Sequence, residues 1–420
     1  MKTNACLKRW EQRDPSVTRF AVISDVHIQD TTFTLDMALD AFQEIGKMDG
    51  LLMVGDIVYQ DGHEVEAEKY DIVLNKLRAE MPGVPFVYTM GNHEFPILAF
   101  RENIYAAQEV FEEKTGQPVR YHRVIAGYHF ITDISLPAHV VEPDIDWIEQ
   151  MIITAKEENE SKPIFLMLHD AFTKLYYVQR EYRSDWMQRL REVLQKYPQV
   201  IVLSGHIHLA LQCPNVIFQE GFTAVQAPCL GEIGFLAGDN LFEEFSIPGN
   251  PQAMLMEIEN NVVYIYKLDL ETKEYIGEPF VIDIPGLVQG TCAYQYTDKR
   301  KTDSNVPYFE KGAVIDVRRL GKDSVEIRFP RAYNEPMTEF TQDGFVIAYR
   351  VEVFEELTKG CIFSENVIPD FYKVGIVDDI SAFFEKVITG IREDVQYEIM
   401  VTPISPFRKE GIPIRRCIEL

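Results

Sequence analysis

The sequence predicts an α/β layered domain followed by a separate all-β sandwich. Three observations carry that reading. From about residue 18 to 210, short apolar runs alternate with amphipathic helical stretches. After residue 210 the helical periodicity fades into short alternating runs. From about Gly312 onward, strand-like patterns recur between turns rich in Gly, Pro, Asn and Asp.

The buried strands expected in the first domain are Arg19–Ser24 (RFAVIS), Leu51–Gly55 (LLMVG), Pro85–Met90 (PFVYTM), Pro163–Leu168 (PIFLML) and Gln199–Ser204 (QVIVLS). Each is short and rich in β-branched or aromatic residues, as strands covered on both faces are. Between them, Asp36–Met48 places Ala38, Ala41, Phe42, Ile45 and Met48 on one helical face. Asp144–Glu158 and Ser184–Tyr197 behave similarly, each opening on a residue that caps well. Val225–Ala227, Met254–Ile258, Val262–Leu268 and Phe280–Ile284 read as strands completing the first domain's sheets.

The polar segment Thr297–Val306 suggests a linker, which gives a first domain over 1–296, a linker over 297–311 and a second domain over 312–420. Strands of the second are expected at Ala313–Arg318, Ser324–Phe329, Gly344–Phe354, Ala382–Ile388 and Gln396–Ile404.

Composition narrows the function. With 420 residues, 46% of them hydrophobic, there is material for two well-filled cores. The net charge of −25 repels duplex nucleic acid and anionic membranes. It also repels a phosphate substrate unless bound cations reverse the sign locally. No run reaches the roughly 18 apolar residues of a membrane span, and the N-terminal stretch lacks the apolar core of a signal peptide. The expectation is a cytoplasmic protein with no membrane partner. Cys6, Cys213, Cys229, Cys292, Cys361 and Cys417 show no close pairing and are expected as reduced core thiols.

The chemistry sits at the ends of the apolar runs. Asp25 and His27 follow the first, Asp56 the second, Asn92 and His93 the third, His169 the fourth, and His206 with His208 the fifth. In open α/β sheets ligands bind beyond the carboxyl ends of strands, so these side chains are expected to converge. Asp25 and His27, like His206 and His208, stand two residues apart and would project to one side of an extended segment. Gly55, Gly91 and Gly205 precede Asp56, Asn92 and His206, permitting tight turns and close backbone approach. A set of Asp, Asn and His without cysteine suits Mn, Fe, Zn or Ni. One carboxylate can bridge two such ions roughly 3.5–4 Å apart. Any one of these motifs alone is commonplace; the ordered set, each at a strand end, points to a metal site.

The segments SDVH (24–27), GDIVY (55–59), GNHE (91–94), LHD (168–170) and GHIH (205–208) resemble the calcineurin-like metallophosphoesterase family over about residues 18–285. That resemblance implies a metallophosphoesterase double β-sheet sandwich flanked by helices, holding two divalent or mixed-valence transition-metal ions. On it, Asp25, His27 and His208 hold one ion, Asn92, His169 and His206 hold the other, and Asp56 bridges them. His93 matches the family histidine that is not a ligand and that stabilises the charged transition state or protonates the leaving oxygen. The implied reaction is hydrolysis of a phosphodiester or phosphomonoester by a metal-held hydroxide, with a small nucleotide-like or metabolite substrate.

Two alternatives stand beside it. GDIVY also resembles the motif in which purple acid phosphatases bind ferric iron through tyrosine, but His27 competes for that position, so a packing role is expected for Tyr59. A non-catalytic protein working through its C-terminal sandwich would have lost ligands, whereas all seven are present with His93. The segment from Ile388 to Gly411 resembles a fibronectin type III domain near its tyrosine corner, with Tyr397 as the corner residue. For substrate contacts, Tyr176, Tyr177, Arg180, Tyr182 and Arg183 form an aromatic and basic stretch able to meet a base or sugar. The glycine-rich stretch 228–240 is a second candidate rim. His63, His122, His129 and His139 lie in no motif and are expected at surface or satisfied core positions.

Overall fold

A computed structural model gives the architecture. It describes residue 14 and residues 17–419, apart from 29–30, 100, 136–140, 172–184, 232, 237–243, 248–250, 339–342 and 373–380. The chain divides into two compact units, one of Met1–Leu211, Asn215–Leu236 and Glu244–Thr297, the other of Gln212–Pro214, Ala237–Glu243 and Asp298–Leu420.

The first unit carries strands β1 (Thr18–Ile23), β2 (Gly50–Val54), β3 (Phe86–Thr89), β4 (Tyr121–Ile125), β5 (Tyr128–Thr132), β6 (Ile164–Met167), β7 (Val200–Ser204), β8 (Ile217–Gln219), β9 (Thr223–Gln226), β10 (Ile233–Leu236), β11 (Glu244–Ile247), β12 (Gln252–Glu259), β13 (Val262–Asp269), β14 (Glu274–Tyr275) and β15 (Phe280–Asp283). Its helices are α1 (Phe33–Ile45), α2 (Ala67–Glu80), α3 (Ile104–Thr115), α4 (Ile145–Glu158), α5 (Asp185–Leu194) and α6 (Ile284–Gln289). One sheet runs β14-β13-β12-β1-β2-β3 with β15 also on β13, and the other runs β4-β5-β6-β7-β9-β8. β1, β2 and β3 are mutually parallel, as are β5, β6, β7 and β9.

The two sheets stack through Phe20 of β1, whose ring lies 4.9 Å from Phe130 of β5 and 6.4 Å from Phe165 of β6. Leu35, Phe42, Tyr70, Leu74 and Phe111 of α1–α3 bury the outer face of the first sheet against Ala21, Ile23, Leu51 and Met53. Ile148, Ile152, Trp186 and Leu190 of α4 and α5 do the same for Leu166, Val200 and Val202 of the second. Each such apolar side chain contributes about 1.5–3 kcal/mol by leaving water. The result is a double β-sheet sandwich flanked by helices.

All five apolar runs form strands. The Asp144 side chain caps α4 by accepting the Trp147 N–H at 3.0 Å, as its position suggested. α1 starts earlier than expected, at Phe33, and Thr32 before it makes no side-chain cap. The hairpin of β4 and β5 and the helices α2 and α3 had no counterpart in the sequence reading. The apolar face of α2 is diluted by charge, and most of β4 is only half-buried.

In the second unit a short helix α7 (Lys299–Asp303) precedes β16 (Asp316–Arg319), β17 (Ser324–Pro330), β18 (Ala348–Glu355), β19 (Cys361–Val367), β20 (Phe383–Thr389), β21 (Gln396–Ile404) and β22 (Ile414–Glu419). A three-stranded sheet β16-β17-β20 and a four-stranded sheet β19-β18-β21-β22 share a core that includes Phe329, Tyr349, Val351, Phe384 and Ile399. Tyr397 is buried, and its hydroxyl accepts the Arg392 N–H at 3.0 Å. Cys361 and Cys417 correct the expectation of core thiols, because both are exposed on strands of the four-stranded sheet; Cys213 and Cys229 are buried. Among the described residues no helix is long and apolar enough to cross a membrane.

Candidate metal centre

The parallel strands of both sheets deliver their carboxyl ends to one place. Asp25 N–H donates to Gly55 O (3.1 Å), His27 N–H to Asp56 O (3.0 Å) and Gly205 N–H to His169 O (2.9 Å), so successive strand ends are stitched together before any side chain is considered. Three groups of ligating atoms result, each small enough to hold a metal ion: Asp25, His27 and His208; His27, Asp56 and His93; and Asp56, His169 and His206.

The backbone at these positions is unusual. Asp25 (φ 50°), His27 (49°), Asp56 (51°), His206 (75°) and His208 (49°) all occupy the left-handed region, which residues other than glycine visit rarely and at a cost. The extended geometry expected for the two pairs is therefore wrong. A left-handed residue turns the chain back at the sheet edge, whereas an extended one would carry it onward. Gly55 also has positive φ (87°), and a Cβ there would run into the His169 imidazole. A Cβ on Gly91 would meet the Asp56 carboxylate and lie 2.7 Å from the Asp56 nitrogen.

Each aspartate turns one oxygen toward the cluster, and on Asp25 that oxygen, Oδ1, also accepts the His206 N–H at 3.0 Å. Asp25 Oδ2 accepts from the Ser24 hydroxyl at 2.6 Å, while Oδ1 faces His208 Nε2 (3.1 Å), His169 Nε2 (3.8 Å) and His27 Nε2 (3.9 Å). Asp56 Oδ1 accepts the His93 N–H at 2.8 Å, and Oδ2 lies 3.3 Å from His27 Nε2 and 2.9 Å from His169 Nε2. His169 Nδ1 donates to Val54 O at 2.8 Å, which leaves Nε2 facing the aspartates. Asn92 Oδ1 joins at 2.7 Å from His206 Nδ1. All seven sequence-predicted ligands and His93 thus come together.

Burial is graded. Asp25, Asp56 and His169 are fully buried and form a floor. His27 and His208 keep 15% and 18% of their side chains exposed, so the rim meets solvent.

The charge state tests whether cations fit. Burial works to raise the Asp25 carboxyl, but His208 and His169 outweigh it and hold it at about 2. Burial likewise opposes ionisation of Asp56, yet His169 and His27 keep it well below the ordinary value. Burial disfavours a charged His169, and Asp56 and Asp25 overcome that to raise it to about 10. His208 is raised well above its ordinary value against burial, by Cys229 and Asp25. Burial and His169 push His206 down to about 3. Two carboxylates thus draw protons onto two imidazoles, so the cluster is short of positive charge. His169 Nε2 is buried and, though near Asp56, makes no hydrogen bond. These residues fit divalent cations of the transition series, with nitrogen and oxygen donors and no thiolate in the three groups.

Sequence reasoning missed Glu94. Its buried carboxylate accepts the N–H groups of Gly91, Asp56, Ile57 and Val58, clamping the loops after β2 and β3 together. Burial and the Asp56 charge push its pKa up, against the N–H groups of Gly91 and Val58, which favour the carboxylate. The final letter of GNHE was its only signal. Tyr176, Tyr177, Arg180, Tyr182 and Arg183 lie outside the described residues, as does His139. His63 is exposed, and His129 is buried with a hydrogen-bond partner on each ring nitrogen.

Residues 18–210 match the sequence model of the calcineurin-like phosphoesterases, a span holding all five motifs, and this stretch is a calcineurin-like phosphoesterase domain. No curated protein matches the chain. Similar solved structures include GAP50, the anchor in the inner membrane complex of Plasmodium, at 14% identity over 67% of this chain and 91% of that one, with a TM-score of 0.45. Purple acid phosphatase PPD1 from yellow lupin seeds is 14% identical over 67% of this chain and 57% of that one (TM-score 0.49). PhoD is 13% identical over 64% and 69% (TM-score 0.42).

Proposed function

We propose that the protein hydrolyses a phosphodiester or phosphomonoester of a small nucleotide-like or metabolite substrate, using two divalent transition-metal ions. The observation that carries this reading is Asp56 Oδ2, one carboxylate oxygen set 3.3 Å from His27 Nε2 and 2.9 Å from His169 Nε2. Such an oxygen suits a bridge between one ion held with Asp25, His27 and His208 and another held with Asn92, His169 and His206. Metal ions in such a site supply Lewis acidity at the phosphoryl group and make water a usable nucleophile near neutral pH.

The chain's own residues orient that chemistry. Ser24 and the Val54 carbonyl aim Asp25 and His169, and Glu94 holds the loops of Asp56 and Asn92 in register. His93 is pushed down to about 4, chiefly by burial, so it is neutral near pH 7. A neutral imidazole carries protons poorly at that pH but donates a strong N–H hydrogen bond to a phosphoryl oxygen gaining charge. For the second unit we propose a fibronectin type III-like sandwich, a reading supported by its three- and four-stranded sheets and by the Tyr397 hydroxyl bonded to the Arg392 N–H.

The test is hydrolysis of bis(p-nitrophenyl) phosphate against p-nitrophenyl phosphate with added Mn²⁺. Turnover of either that vanishes in Asp56→Asn supports the reading, and the preferred ester assigns diesterase or monoesterase. Protein that holds metal yet turns over neither ester with Mn²⁺, Zn²⁺, Fe²⁺ or Ni²⁺ would count against it.

A further inference from the structure

A catalytic imidazole is ordinarily aimed by a hydrogen bond at its second nitrogen. His93 has none: its Nδ1 is buried without a hydrogen-bond partner. Its backbone is pinned on both sides, the N–H on Asp56 Oδ1 at 2.8 Å and the carbonyl accepting from Gln60 N–H at 3.1 Å. Those bonds place the Cα and leave the ring to be oriented by packing. Two rings meet it. Tyr59 lies nearly parallel, with centroids 4.6 Å apart and planes 19° apart, and His27 tilts against it at 4.7 Å.

We infer that Tyr59 is the positioning residue for His93, and that its ring rather than its hydroxyl does the positioning. The inference rests on the role given to His93 above. The Tyr59 ring also meets His27 edge-on with centroids 5.7 Å apart, and its backbone is anchored. Its N–H donates to Ile28 O at 3.2 Å, and its carbonyl accepts from Lys69 Nζ at 2.7 Å. Lys69 is held in turn by Glu66 at 2.6 Å. An aromatic plane stacked against one face of His93 restricts rotation of the imidazole about its Cβ–Cγ bond. That restriction keeps the ring nitrogens aimed where a hydrogen bond would otherwise have held them. His27, an assigned ligand, packs beside both rings, 4.7 Å from His93 and 5.7 Å from Tyr59, so the three rings join the metal cluster to the imidazole beside it.

Tyr59→Phe keeps the ring and Tyr59→Leu removes it, which separates the two halves of the side chain. In Mn²⁺-loaded protein acting on bis(p-nitrophenyl) phosphate, Y59L is expected to lose about 10- to 100-fold in kcat. KM should move by less than about threefold, because the loss falls on the transition state. Y59F should lose several-fold less than Y59L, with the same metal content in all three proteins. An independent readout is the His93 ring proton resonance in metal-free protein, assigned by its disappearance in His93→Gln. It should lie upfield under the tyrosine ring current in wild type and Y59F, and move downfield in Y59L. Equal loss of kcat in Y59F and Y59L, or metal lost from Y59F, would make the hydroxyl the working group and overturn the inference. An unmoved His93 resonance in Y59L would overturn it too. If wild-type protein turns over no ester, the proposed function fails, and the resonance alone still decides the role of Tyr59.

Discussion

Among the described residues, the first unit gathers histidines at the ends of β1, β3, β6 and β7, around Asp56 after β2, and again across β4 and β5, beside Glu158 at the end of α4. In the second place His122 Nε2 lies 2.9 Å from His129 Nδ1, and His129 Nε2 lies 3.0 Å from Glu158 Oε2. The two rings stack with planes 15° apart, on residues whose strands pair in regular register. Every nitrogen named there has a partner, and the one carboxylate is 63% exposed. At the strand ends the reverse holds: buried carboxylates, ring nitrogens without hydrogen bonds, and five residues in left-handed backbone. Proximity of histidines is therefore not what marks a site. Unpaired ring nitrogens, on His93 and His169, beside strained backbone at Asp25, His27, Asp56, His206 and His208 mark it.

The largest contrast is expected in activity. Asp56→Asn should lower phosphoesterase kcat by about 100- to 1,000-fold or more, since it removes a charge that both halves of the site share. His129→Gln should leave kcat within about twofold, as separate sites act independently. A matching loss in H129Q would dissolve the distinction between the clusters.

A second contrast concerns the two glutamates. Glu94→Gln replaces one acceptor oxygen with a donor facing backbone N–H groups, and should cost about 1–3 kcal/mol in urea unfolding. The same change should weaken metal binding by about 10- to 100-fold, because loops that orient ligands lose their clamp. Glu158→Gln, at an exposed carboxylate, should move stability by less than about 0.5 kcal/mol.

The smallest effect is a dependence on pH. Burial and the neighbouring His129 push His122 below its ordinary 6.5. Just below pH 6.5 the unfolded chain binds a proton that the folded ring declines, so stability falls as acid is added and recovers as pH rises. His122→Gln should flatten that part of a plot of urea midpoint against pH. An unchanged slope would assign the acid sensitivity to other groups.

The contrast also shows what could be read from the sequence. The five strands that end at the cluster were legible because each apolar run ends on Asp, Asn or His, and a strand end is where a parallel sheet binds ligands. The eight residues of the cluster followed from those ends. What could not be read was their backbone. Two polar residues at i and i+2 look the same in an extended segment and in a left-handed turn, and only the neighbouring strand decides. Glu94 was in view, but a glutamate after histidine looks solvated until the fold brings four N–H groups onto it. α2 was hidden by charge around Tyr70, Val73, Leu74 and Leu77. β19 and β22 were hidden because most of their residues are half-buried or exposed, as at a sheet edge.

Under the proposed function, Asp56 would join two metal positions. The most direct measurement is the metal content per chain, by mass spectrometry of the native protein after loading with Mn²⁺ and removal of excess. Wild type is expected to hold two ions and Asp56→Asn fewer than two, with His129→Gln matching the wild type. Two ions retained in Asp56→Asn, or fewer than two in the wild type, would contradict it.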